Sequence, residues 1–145
     1  RDLTSARIAI EGHAAAEAAR NRSEDDIARL READRAFGAQ RRLRRPDLAR
    51  AMELNKEFHF ALYAAAGSAV LMDIIRSLWL KAGPVLNLDL RANKDRIATS
   101  RAVEFHGAAL AAVIARKPGA ARDAIAEDIA TAADFILAHG RLIES

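Results

Sequence analysis

Apolar residues recur along this chain at the three-to-four spacing of amphipathic helices in six stretches, and none shows the alternation of a strand. The first, about Leu3 to Arg20, sets Leu3, Ala6, Ile10, Ala14 and Ala18 at helical spacing, with Asn21 as its stop. Ser23 then offers an N-cap, and Glu24, Asp25 and Asp26 suit the positive end of a helix dipole. Behind that cap Ile27, Leu30, Ala33 and Phe37 form the stripe of a second helix, which fades into the polar stretch from Gln40 to Arg45. Pro46 fits the first turn of a third helix, which carries Leu48, Met52, Phe58, Leu62 and Ala65 and closes at Gly67.

A fourth helix from about Ser68 carries Leu71, Ile74, Ile75, Leu78 and Trp79. Gly83-Pro84 is expected to kink or interrupt it before Leu86 to Leu90. Arg91 to Arg96 reads as a loop, and a fifth helix follows from about Ile97 to Arg116. Lys117-Pro118-Gly119 breaks the chain before a sixth, Ala120 to His139, with Ala124, Ile125, Ile129, Ala132, Phe135 and Ile136 on one face. Short links between helices of this length make antiparallel neighbours, so the expected fold is an all-α antiparallel bundle of about six helices.

Composition narrows the picture. The 145 residues make one domain, 1–145, with one core. A hydrophobic fraction of 51% excludes a disordered chain, and 30% charged residues leave no uncharged run of the roughly 18–20 residues that cross a bilayer. Aromatics at 5% and abundant Ala favour helices over a β-sandwich. The absence of Cys removes disulfides, thiolate metal sites and cysteine nucleophiles, and it is compatible with a cytoplasmic setting. A net charge of +3 does not by itself make a nucleic-acid binder.

Candidate chemistry centres on two of the four histidines. His59 lies between Phe58 and Phe60 on the third helix, and His106 follows Phe105 on the fifth. Asn55 precedes His59 by four residues, about 400° of helix rotation, so both side chains leave one face a turn apart and can offer an oxygen and a nitrogen to one metal ion. Asp128 sits at the edge of the sixth helix's apolar stripe, where a carboxylate needs a partner or a cation. The plainer alternatives are hydrogen-bonded core histidines, an Asn55 turned to solvent and an Asp128 paired with Lys or Arg.

The run from Asn55 through Phe58-His59 to Ala66-Gly67, followed by Leu71 to Leu78-Trp79, resembles the signature of the FCD domain. That is the C-terminal effector-binding domain of FadR-like GntR transcription regulators. Arg7 with Glu11, Ser100 with Glu104 ahead of His106, and the run Ala121 to Ile129 extend the resemblance over nearly the whole chain. It implies a divalent metal in a central polar pocket of the bundle. The family holds it with an Asp and a His one turn apart and two further His. Asn55 takes the Asp position, His59 and His106 the first two His positions, and Asp128, 22 residues after His106, the last. Two of the four positions therefore depart from the family's commonest set, and one carboxylate is kept but relocated. Two imidazoles, one carboxylate and an amide oxygen suit zinc, nickel, iron or manganese.

A centre of that kind keeps residual positive charge and attracts a small carboxylate effector. The resemblance makes Arg7 a second anchor for it, against the alternative of a surface pair with Glu11. Tyr63 and Thr99 lie on the helix faces of His59 and His106 and are candidates to line the cavity, as is Asn87. Trp79, Leu80, Val85 and Leu86 form either an interface or a pocket wall.

The expected function is effector sensing for a GntR-type DNA-binding transcription regulator, not catalysis. The family's N-terminal winged helix-turn-helix is absent from this chain, so operator DNA is a partner only through that domain. A homodimer is expected by the same resemblance. The competing class is a metal-dependent hydrolytic or lyase-type enzyme on a helical bundle. Against it, the sequence offers no Glu-x-x-His pair and no nucleophile with an adjacent base.

Overall fold

The structure, a computed structural model, describes residues 1–92 and 101–139, and side chains throughout these except at 84–92 and 139. Among the described residues there are six helices: α1 Asp2–Asn21, α2 Glu24–Arg42, α3 Leu48–Ala64, α4 Ala69–Ala92, α5 Ala102–Ile114 and α6 Pro118–His139. The expected all-α bundle is what the chain forms. No helix among the described residues is long and apolar enough to cross a membrane.

Local chemistry sets the boundaries. Ser23 Oγ accepts from Asp26 N–H at 3.1 Å while Ser23 N–H donates to Asp26 Oδ2 at 2.9 Å, a reciprocal capping box that starts α2. Pro46 does not enter the first turn of α3 as expected. Asp47 accepts from Arg50 N–H at 3.2 Å and caps the helix one residue later. Gly67 closes the segment after α3 with φ of 75°, a left-handed conformation that favours glycine.

Other helix boundaries differ from those expected from the sequence. The α4 helix continues through Gly83-Pro84, because proline's fixed φ lies within the helical range and its missing N–H removes one rung of the ladder. Arg91 and Ala92 belong to that helix rather than to a loop; 93–100, and with them the start expected for the fifth helix, lie outside the described residues. The α5 helix ends at Ile114, two residues short of Arg116, which adopts φ of 55° and turns the chain. The chain does break between α5 and α6, at 115–117, and Pro118 opens α6 two residues before the expected start at Ala120, since its φ is preset for a first helical position.

Helix α1 is the axis of the molecule. It packs most extensively on α6 and also against α3, α4 and α5, while α2 pairs with α3 and α5. Its Ala14, Ala15, Ala16, Ala18 and Ala19 are all fully buried, far more than one stripe. Small side chains are what permit neighbours on so many sides. A Cβ at Gly12 would lie 3.2 Å from Arg122 Cγ, which marks how closely α6 approaches. Around this axis Leu30, Phe58, Leu62, Ile75, Val113 and Ile125 fill the core.

Candidate metal and effector site

Three helices bring their polar side chains to one buried point. His59 comes from α3, His106 from α5 and Asp128 from α6, at 3%, 0% and 8% exposure. His59 Nε2 lies 3.0 Å from Asp128 Oδ2, and His106 Nε2 lies 3.4 Å from the same oxygen. The ligating atoms of all three are within 4.8 Å of one another. The His106 ring is fixed by stacking on Phe58, 4.2 Å between centroids at 16°, and by Phe37 at 4.9 Å. His59 meets it edge-on at 5.1 Å.

Hydrogen bonding at this point is incomplete. Among the described residues, His106 Nδ1 and Nε2 and Asp128 Oδ2 are buried without a well-aligned hydrogen-bond partner, although both imidazoles lie within reach of the carboxylate. Burial lowers the His106 imidazole below its ordinary 6.5, against the pull of Asp128, and so favours the neutral, ligating form. Burial raises the Asp128 carboxyl, but the two imidazoles beside it prevail and hold it well below the usual carboxylate range. Asp34 on α2, half-buried, has its carboxyl raised by burial and drawn back by His106.

A second polar cluster adjoins the first. Glu11 on α1 is fully buried. It accepts from Arg7 Nε at 2.8 Å, Tyr63 Oη at 2.7 Å and Trp79 Nε1 at 2.7 Å. Arg7 also lies 5.1 Å from the centroid of the Trp79 ring. Tyr63 joins the two clusters, its hydroxyl 2.9 Å from His59 Nδ1. Burial and the neighbouring Glu11 carboxylate push the Tyr63 phenol well above 10, so it stays protonated.

Of the residues singled out in the sequence, His59, His106 and Asp128 converge, and Arg7 and Tyr63 flank them. Asn55 is half-buried one turn before His59 and makes no hydrogen bond or ion pair among the described residues. Arg7 does pair with Glu11, but as a buried pair rather than a surface one, its side chain 11% exposed. Trp79 belongs to the site, whereas Leu80 is 80% exposed, so these neighbours take different sides. Asn87 lies in α4 with its side chain outside the described residues, as do Val85 and Leu86, and Thr99 lies wholly outside them.

Sequence reasoning missed Glu11 as a centre of hydrogen bonding and Trp79 as its donor. The signal was the helical spacing of Glu11, three, four and seven residues before Ala14, Ala15 and Ala18, which puts it on an apolar face of α1.

A family model for the FCD domain matches residues 2–131. The chain belongs to the FCD domain family. The FCD domain is the C-terminal effector-binding domain of GntR-family regulators. None of the curated proteins matches this chain. This FCD domain is therefore a regulatory, effector-sensing module in which the buried cluster described above lies at the meeting point of α3, α5 and α6.

Proposed function

We propose that this domain senses a small organic acid at a divalent cation held by His59, His106 and Asp128, with Asn55 as a fourth, amide ligand. The observation that carries the reading is a buried set of polar atoms without hydrogen-bond partners among the described residues, His106 Nε2 and Asp128 Oδ2, beside His59 Nε2. Buried polar atoms without partners are costly, and two nitrogens with one carboxylate oxygen match zinc, nickel, iron or manganese. When bound, such an ion supplies residual positive charge for an anionic ligand.

The chain's own residues do the rest. Phe37 and Phe58 hold the His106 ring, and Asp128 answers both imidazoles. Arg7 is the second anchor for the effector carboxylate, sharing its guanidinium with Glu11, whose charge Tyr63 and Trp79 help to satisfy. The two clusters draw residues from α1, α3, α4, α5 and α6. An effector bound between them acts on the bundle only by favouring one helix arrangement over another. The rearrangement reaches operator DNA through an N-terminal DNA-binding domain outside this chain, in a homodimer working in the cytoplasm. Exposed Val70, Ile74 and Leu80 on α4 are the apolar surface offered to the second copy.

The test is elemental analysis of the purified domain together with thermal melting in the presence of organic acids, before and after a chelator. The expected result is one divalent ion per chain and organic acids that raise the melting temperature only in metal-loaded protein. His59→Ala and His106→Ala should lose both. Failure to retain zinc, nickel, iron or manganese, with melting unchanged in both variants, would overturn the proposal.

A further inference from the structure

The direction of one chain of hydrogen bonds decides what His59 can offer. An ionised carboxylate only accepts, and Glu11 Oε1 already receives the indole N–H of Trp79 at 2.7 Å. The Tyr63 hydroxyl hydrogen therefore points to that same oxygen, also at 2.7 Å, leaving the phenolic oxygen as an acceptor on its other side. There it faces His59 Nδ1 at 2.9 Å, and the pair forms a hydrogen bond only when Nδ1 carries the proton. With Nδ1–H fixed in this way, Nε2 presents its lone pair toward Asp128 Oδ2, 3.0 Å away. Two acceptors at that distance call for a cation or a proton between them.

We propose that Glu11 and Tyr63 are positioning residues for His59: their hydrogen bond turns the tyrosine hydroxyl away from the imidazole, so that His59 donates from Nδ1 and keeps Nε2 free to ligate. This deepens the metal reading above and rests on it. It also gives the buried Arg7–Glu11 pair a second consequence. Anything that draws Glu11 away from Tyr63 frees the hydroxyl to donate to Nδ1. The imidazole proton then moves to Nε2, the atom the ion needs. Arg7, whose Nε donates to the other Glu11 oxygen at 2.8 Å, helps to hold the carboxylate in place against Tyr63.

The test uses ¹⁵N-histidine-labelled domain, with the His59 signals assigned by comparison with His59→Asn, measured with and without zinc. The expected spectra show His59 protonated at Nδ1 in both states, with Nε2 the atom that shifts when zinc binds. Tyr63→Phe removes the acceptor and Glu11→Gln removes the acceptor-only partner. Each should weaken zinc binding by roughly 10–100-fold, the usual range for losing a partner behind a metal-bound histidine. In Glu11→Gln the Nε2-protonated tautomer should also become visible in zinc-free protein. Circular dichroism confirms that each variant folds, and Tyr63→Phe alone suffices if Glu11→Gln does not. His59 protonated at Nε2 and bare at Nδ1 in the unaltered protein would overturn the proposal. So would a Tyr63→Phe variant with unaltered zinc affinity. If the unaltered domain binds no zinc while His59 still shows Nδ1–H, the relay stands and the metal reading falls.

Discussion

At the scale of single residues, Asp128 Oδ2 lies between two imidazole nitrogens, 3.0 Å from His59 Nε2 and 3.4 Å from His106 Nε2, and among the described residues neither His106 ring nitrogen is hydrogen-bonded. The metal-free domain should register this in its response to acid. Burial lowers His106 below 6.5 in the folded state, so from that value downward the unfolded chain binds a proton that the folded one lacks. Stability is then full above pH 6.5 and falls as the pH drops through the window beneath it. Asp128 adds a loss in the same direction below its ordinary 3.8. Urea midpoints in the presence of chelator should be lower at pH 5.5 than at pH 7.5, and His106→Gln should flatten the difference. An unchanged midpoint, or a variant with the full slope, would contradict the description of this site. His59, His106 and Asp128 were legible in the sequence because each is a polar residue set in an apolar stripe. Glu11 was not, since an Arg and a Glu four apart on a helix more often make a solvent-exposed pair.

At the scale of elements, α1 explains why that pair is buried. The sequence sets a single apolar stripe on α1, from Leu3 to Ala18, yet α3, α4, α5 and α6 all pack against it. Its small side chains keep those neighbours close. Ala15→Leu should therefore force apart helices that have no space to give, costing about 1–3 kcal/mol. The same change at exposed Ala49 should stay within about 0.5 kcal/mol. Equal effects in chemical denaturation would show that α1 is not the packed axis. The helix ends were harder to read than the helices. Periodicity carried all six, but Asp47 rather than Pro46 starts α3, and Pro118 starts α6 instead of preceding it. In each case the deciding factor is a cap or a preset φ, which hydrophobic spacing does not encode. Arg116 adds a tertiary reason: it donates to the Arg20 carbonyl at 2.9 Å while Arg22 donates to the Ile114 carbonyl at 2.8 Å, clasping the ends of α1 and α5 together.

At the scale of the whole molecule, the proposed sensing site belongs to no single helix. The two polar clusters are joined by Tyr63 and span the bundle from Arg7 on α1 to Asp128 on α6. A ligand that adjusts any one of these contacts alters how several helices meet, which is the physical requirement for an effector domain. That His59, His106 and Asp128 share one interior point was beyond sequence spacing, because it depends on how α3, α5 and α6 are rotated against each other. The most direct measurement is anomalous diffraction at the zinc edge from zinc-loaded crystals. One strong peak per chain, within bonding distance of His59 Nε2, His106 Nε2 and Asp128, is the expected result. A map with no peak in the bundle interior, or with zinc bound only at surface residues, would contradict it.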